Sequence, residues 1–245
     1  MSDAVGLLIL VLLSVLLIVF TIVEKKRPFV LKDLPAFQRL RRAIGLAVED
    51  GKRIHVALGR GTILSENFAA ALVGLGALKR LTTVALIGDH PPIATSGEGN
   101  LMILARNCLQ GAYRRLGIPP QDLSQKAQMI GATPLSYAVG SQMEIRDGNV
   151  TVDLLIGHLG NEAALICDAS QRQGNLCIAG SDNLTAQAVF AAAATHPLLG
   201  EDVFAAVAYM DGDAVQRASL RTQDIARWAI ILFLVLASLA KLVGL

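Results

Sequence analysis

"VALGRGTILSEN", residues 56–67, decides the fold. A short apolar run, Arg53 to Leu58, ends at Gly59-Arg60-Gly61, and a polar Thr/Ser/Glu patch leads into an alanine-rich stretch. The pattern is that of a buried strand, a tight glycine turn and a helix. Working outward, Ser65 to Leu81 reads as the helix and Thr82 to Gly88 (TTVALIG) as a second buried strand. Gly97 to Leu116 reads as a helix, closed by Gly117 and Pro119. A short strand at Gln128 to Gly131 and a helix at Pro134 to Ile145 follow. Val150 to Ile156 alternates around Asp153 as a strand, Asn161 to Gln173 is a helix with Gly174 past its end, Leu176 to Ala179 a strand, and Leu184 to Thr195 a helix. From His196 the sequence reads as helical, with Gly200 to Met210 one helix and a break at Asp211-Gly212-Asp213.

Strands separated by helices of this length call for a parallel sheet covered on both faces. The expected class is α/β, a Rossmann-like three-layer domain with a mostly parallel sheet of five strands. The alternative is a hairpin around Gly157 to Gly160, which would make the sheet mixed. Before the first strand, Phe37, Leu40, Ile44 and Val48 recur at helical spacing, with Arg39, Arg41 and Arg42 on other faces. This amphipathic helix either packs on the domain or lies on anionic headgroups, and packing is the simpler reading.

The ends are different in kind. Val5 to Val23 carries no charge over 19 residues, about 28 Å of helix, close to the thickness of a bilayer's hydrocarbon. The preceding residues carry Asp3 and no Lys or Arg, and Glu24-Lys25-Lys26-Arg27 follows where a signal peptide would be cleaved, so the run reads as an uncleaved anchor. Trp228 to Leu245 is the second apolar segment, with an interfacial Trp228 and a Lys241 near its end. One long helix is expected from Ala214 to the C-terminus, coupling domain and membrane. The division is thus 1–27, an N-terminal transmembrane anchor; 28–213, a cytoplasmic α/β domain; and 214–245, a long helix including the second span. Lys25, Lys26, Arg27 and Lys32 follow the first span, and Arg217, Arg221 and Arg227 precede the second. The positive-inside rule then puts the central domain in the cytoplasm of a prokaryotic cell membrane, with both termini outside.

A net charge of +2 with one Trp and three Tyr supplies neither a basic stripe nor a stacking platform for nucleic acid. Three scattered cysteines, Cys108, Cys167 and Cys177, without CxxC spacing, read as reduced thiols. In a doubly wound sheet the loops at the carboxyl ends of the strands gather at one edge, where ligands bind. Three such loops bear glycine: Gly59-Arg60-Gly61-Thr62, Thr95-Ser96-Gly97-Glu98-Gly99-Asn100 and Gly180-Ser181-Asp182-Asn183. Each precedes an expected helix, whose free N–H groups attract anions. The candidate ligand-binding residues are Gly59, Arg60, Gly61, Thr62, Ser96, Gly97, Gly99, Gly180, Ser181 and Asp182. Valine at Gly59 and Gly61 is then expected to remove binding and spare the fold.

The third glycine of the dinucleotide fingerprint is missing, since Leu64 stands there, and no phosphate loop of the GxxxxGK[ST] type is present. The same glycines, serines and aspartates also serve as ordinary caps and turns. His55, His90, His158 and His196 share no metalloenzyme spacing. Asp89-His90 stands just after an expected strand, and His158 with Glu162 could make two metal ligands, which is too few for a site. Ser96 and Ser141 lie in no nucleophile elbow. No residue set nominates a catalytic role, a metal or a cofactor.

The segments "EKKRPFVLKDLPAFQRLRRAIGLAVEDGKRIHVALGRG" (24–61), "IAGSDNLTAQAV" (178–189) and "LLGEDVFAAVAYM" (198–210) resemble prokaryotic membrane proteins of domain of unknown function 6754. The resemblance spans nearly the whole chain and implies a membrane-embedded protein without a known activity. Two functions are compatible with these features. One is a membrane-anchored module that binds or senses a small polar or anionic ligand. The other is a homo-oligomeric membrane scaffold without catalysis, for which Ala69 to Ala71 and Ala191 to Ala194 offer flat faces. A channel is less suited, since two spans hold no acid or base at mid-depth.

Overall fold

A computed structural model describes residues 2–26, 34–63, 65, 67–86, 90–119, 123–210 and 212–243. The chain divides into two units, one formed by residues 1–32 and 211–245 and the other by residues 33–210.

The larger unit is an α/β domain. Its elements are α2 (Pro35–Glu49), β1 (Arg53–Gly59), α3 (Phe68–Ala85), β2 (Ile93–Ser96), α4 (Gly99–Arg115), β3 (Ala127–Met129), α5 (Pro134–Asp147), β4 (Val150–His158), α6 (Ala163–Arg172), β5 (Leu176–Gly180), α7 (Leu184–Ala193), β6 (His196–Leu198) and α8 (Asp202–Tyr209), preceded in the chain by α1 (Ser2–Lys26). The six strands form one sheet in the order β3-β2-β1-β4-β5-β6, and every ladder is parallel. Sequence order reverses between β1 and β4.

Alternation along the strands sorts the core. Ile54, Val56 and Leu58 of β1 with Val152, Leu154 and Ile156 of β4 face a cluster built with Phe37 of α2, Leu78 of α3, Leu109 of α4 and Val203 of α8. Ala57, Leu155, Cys177 and Ala179 face the opposite cluster, with Tyr137 of α5, Ile166 of α6 and Phe190 of α7. The amphipathic helix α2 packs on the domain, with Phe37, Leu40 and Ile44 buried and Phe37 stacked 5.2 Å from Tyr209.

Residues 82–86, the described part of the expected strand Thr82 to Gly88, are not a strand. Helix α3 continues through Ala85, and residues 87–89 lie outside the described set. The β-branched run tolerates the helix because Thr82 and Thr83 donate their hydroxyls to Leu78 O and Lys79 O one turn back. Leu78, Leu81 and Ala85 keep the buried face at helical spacing. The strand after α3 is instead Ile93–Ser96, entered from Pro91-Pro92, and a further edge strand stands at His196–Leu198, where helix was expected. The hairpin at Gly157 to Gly160 is excluded, since β4 and β5 are parallel. The three cysteines are free, with Cys167 and Cys177 buried and their sulfurs 3.9 Å apart. Of the alanine runs, Ala70 and Ala71 are core, whereas Ala191 and Ala192 are exposed.

The edge strand carries a pH dependence. Arg39 Nη1 of α2 donates to His196 Nε2 at 3.1 Å. Burial, and then the Arg39 charge, hold the His196 imidazole below its usual range. The unfolded chain therefore takes up a proton more readily than the folded one. The stabilisation is present above the unfolded pKa of about 6.5 and is lost as pH falls through the folded value. Melting curves between pH 7.5 and 5 are expected to show a smaller acid-side fall in Tm for His196→Gln than for the wild type.

The smaller unit pairs α1 with α9 (Ala214–Val243), the single long helix expected from Ala214. Among the described residues three helices are long and apolar enough to cross a membrane, Gly6–Lys26, Phe68–Ala85 and Ala214–Leu239. Half of the second is buried within the protein, as befits a helix of the sheet domain, against none of the first and 6% of the third.

Candidate functional site

At the carboxyl edge of the sheet the strand order reverses between β1 and β4, the position at which doubly wound sheets hold their ligands. Their last residues, Gly59 and His158, are register partners. The backbones touch here, and two glycines make that approach possible. A Cβ on Gly59 would overlap His158 O, and one on Gly157 would overlap Leu58 O. Gly59 also has φ +70°, a left-handed conformation that other residues adopt at a cost.

These contacts revise the expected role of the glycine loops. Their N–H groups are used by the protein itself: Gly59 N donates to Tyr137 Oη, Arg60 N to His158 O, and Gly97 N to Gly59 O. A Cβ on Gly61 would come within 3.0 Å of Ala71 Cβ, and one on Gly180 would crowd Val203 and Leu198. Ser96 Oγ donates to Glu98 O, and Gly99 is the first residue of α4. Thr62 O accepts from Ser65 N and Ser65 Oγ and closes a turn, so that α3 begins only at Phe68. The opening stretch is therefore a turn first. Valine at Gly59 would break the fold, contrary to the expectation that it would spare it.

What remains for a ligand is a set of side chains. The stem of Arg60 lies across Gly97, where a Cβ would come within 3.0 Å of Arg60 Cδ. Arg60 Nε is buried and has no hydrogen-bond partner among the described residues. On the other side, His158 Nδ1 donates to Asp182 Oδ1 at 2.8 Å, and Asn67 Nδ2 lies 3.2 Å from Nε2. The ring is thus held between β5's loop and the start of α3, with the His158 and Asp182 side chains 26% and 21% exposed. Ser181 ties the same loops together, its Oγ accepting from Leu159 N and Asn183 N and donating to Leu159 O. The structure therefore joins the first and second glycine loops directly. It joins the third to them only through β4 and His158.

His158 was paired in the sequence reading with Glu162. In the structure Glu162 accepts from Gly160 N instead. No group of three or more metal-binding side chains exists among the described residues. His90 stands three residues before β2 and beside Gly51, at the amino end of β1 and away from the crevice; Asp89 lies outside the described residues. Next to the crevice an open cleft of about 550 Å3 is lined by Pro134, Leu135, Gly160, Glu162, Asn183 and other residues at the starts of α5, α6 and α7. None of the glycine-loop candidates lines it.

Beneath the edge lies a buried polar network. His55 Nδ1 donates to Asp153 Oδ1 at 3.0 Å, and Ser170 Oγ and Asn175 Nδ2 donate to Oδ2 at 2.6 and 2.9 Å. His55 Nε2 lies 2.8 Å from Thr95 Oγ1. Thr95 O accepts from Tyr137 Oη, the same hydroxyl that receives Gly59 N, so the network runs from the core to the turn. Burial pushes the Tyr137 phenol up, which keeps it a neutral donor. Strand alternation could have found the pair, because His55 and Asp153 are the polar interruptions of two apolar runs on one face.

The family described as "Domain of unknown function (DUF6754)" matches residues 2–245, and the chain belongs to it. No curated protein and no solved structure matches the chain.

Proposed function

From this membership in a family without an assigned activity, we propose that the protein is a membrane-anchored Rossmann-like module that binds a small ligand with an anionic group at the crevice between β1 and β4. The observation that carries the reading is Arg60, a half-buried guanidinium over Gly97 whose Nε has no partner among the described residues. A cation taken partly out of water without a partner costs free energy that a bound anion would return. The order β3-β2-β1-β4-β5-β6 supports the Rossmann-like reading, because it is that of doubly wound nucleotide-binding sheets, whose ligands sit at the order reversal. His158, oriented by Asp182, is the group placed to accept or donate a hydrogen bond to the ligand's polar end. Asp182 disfavours a polyanion there.

The terminal helices α1 and α9 are read as the membrane spans, with the domain on the side of Lys25, Lys26, Arg217, Arg221 and Arg227, the cytoplasm of a prokaryotic cell. The test is titration calorimetry of the full-length protein in mild detergent against inorganic phosphate, nucleoside monophosphates and dicarboxylates. Arg60→Gln is expected to weaken the binding anion by roughly tenfold or more while leaving Tm nearly unchanged. Equal affinity in the variant would remove Arg60, and with it the reading.

A further inference from the structure

Two opposite charges stand unpaired at the carboxyl edge of the sheet. Arg60, in the turn after β1, enters none of the ion pairs among the described residues, and its Nε is buried without a hydrogen-bond partner. Asp182, in the loop after β5, has no Lys or Arg beside it among the described residues; its basic neighbour is His158. Asp182 Oδ1 accepts from His158 Nδ1 at 2.8 Å and from Ser181 Oγ at 3.3 Å, which leaves Oδ2 without a donor among the described residues. The imidazole does not cancel the carboxylate's charge. A carboxylate only accepts, so Nδ1 carries the hydrogen. A carboxamide nitrogen only donates, so Asn67 Nδ2, 3.2 Å away, makes Nε2 an acceptor. The ring in this arrangement holds one proton, and this side of the edge offers a ligand acceptors and negative charge.

The backbone keeps the two charges apart. Gly59 and His158 are register partners, and Arg60 N donates to His158 O at 2.8 Å, so both side chains start from one point in the sheet. The Arg60 stem turns toward the end of β2, where a Cβ on Gly97 would overlap its Cγ. The His158 ring turns toward the loop after β5 and Asp182. β1 and β4 stand between β2 and β5, and each strand adds about 4.8 Å of width. The guanidinium and the carboxylate are drawn to opposite sides and form no contact pair. The guanidinium is half-buried and the Asp182 side chain is 21% exposed, so solvent screens either charge less than at an open surface.

We infer that the ligand of this edge is a zwitterion, an amino acid whose carboxylate pairs with Arg60 and whose ammonium pairs with Asp182. The inference deepens the anion-binding reading and rests on it. One such molecule satisfies both charges and leaves the net charge of the site unchanged. A simple monoanion satisfies Arg60 alone and leaves the carboxylate unpaired, and a polyanion adds repulsion from Asp182. The separation across the strands favours amino acids with the amino group at the far end of a methylene chain over those whose two charged groups share one carbon.

The experiment is titration calorimetry of the full-length protein in mild detergent. The probes are glycine, 4-aminobutyrate and 6-aminohexanoate, each beside the acid without the amino group: acetate, butyrate and hexanoate. At least one amino acid is expected to bind about tenfold or more tightly than its plain acid. Asp182→Asn, whose Oδ1 still accepts from His158, is expected to cut that preference to under about threefold. Arg60→Gln is expected to weaken both members of the pair. Glu98 N-caps α4 without a side-chain cap bond and is in no ion pair among the described residues, so Glu98→Gln is expected to keep the preference. Plain acids that bind as tightly as the amino acids would overturn the inference, as would a preference that survives Asp182→Asn or disappears in Glu98→Gln. Phosphate or a dicarboxylate bound through Arg60, with no amino acid bound, would also overturn it and leave the anion-binding reading standing. Binding of none of these probes, or binding indifferent to Arg60→Gln, would overturn that reading and the inference with it.

Discussion

Replacing Asp153 by alanine is expected to lower the stability of the protein by about 3–5 kcal/mol, a fall in Tm on the order of 10 °C. The carboxylate is fully buried and accepts from three donors, His55, Ser170 and Asn175. Removing it leaves His55 Nδ1, Ser170 Oγ and Asn175 Nδ2 without their acceptor in the buried core, and each such group carries its own desolvation cost. Asn at the same position keeps the volume but sets an amide N–H against donors, so it is expected to lie between wild type and alanine. Leucine paired with His55→Leu removes the carboxylate and the imidazole together and is expected to recover part of the loss. Thermal melts of the full chain in detergent measure all three variants. A loss under about 1 kcal/mol for Asp153→Ala would mean the network is already hydrated.

The second large effect is at the strand crossing. Gly157→Ala and Gly59→Ala are each expected to prevent accumulation of folded protein, or to lower Tm by more than about 10 °C. In both, the new methyl group overlaps a carbonyl oxygen of the neighbouring strand, Leu58 O or His158 O, and no side chain can yield. At Gly59 the positive φ adds strain. Gly45 in α2 and Gly111 in α4 are the controls, since a Cβ at either meets nothing within 4 Å. Alanine there is expected to stabilise by up to about 1 kcal/mol through helix propensity. If Gly157→Ala melted like Gly111→Ala, the close approach of β1 and β4 would be wrong, and the crevice between their ends with it.

The strands that were legible in the sequence are the three long central ones and the short edge strand β3, which was expected at Gln128 to Gly131 and stands at Ala127–Met129. β1, β4 and β5 are apolar runs bounded by glycine, and burial on both faces demands such runs. The misreading at 82–88 has a local cause. Thr82, Thr83 and Val84 carry strand propensity, but helical packing of Leu78, Leu81 and Ala85 outweighs it. β2 and β6 are four and three residues long and begin at or near proline, so neither has enough length for a periodicity to register. β6 is also an edge strand, where Pro197 is tolerated because only one side needs a ladder.

The candidate site was legible as a place more than as a set of groups. Strand ends and glycines pointed to loops that the parallel sheet does bring to its carboxyl edge, Arg60 and Asp182 among them. The glycines themselves answer to backbone contacts rather than to a ligand. His158 was visible only as half of a metal pair, because its partner Asp182 is 24 positions away and becomes a neighbour only once β5 is placed beside β4. Asn67 was hidden for a related reason: α3 starts three residues later than its sequence pattern implied.

Native mass spectrometry of the full-length protein, gently extracted in mild detergent, tests the ligand-binding account most directly. The account predicts a small mass retained by the wild type and lost from Arg60→Gln, at an unchanged number of chains. A retained mass that survives Arg60→Gln would contradict it, as would a wild type that carries none and takes up none of the anions offered.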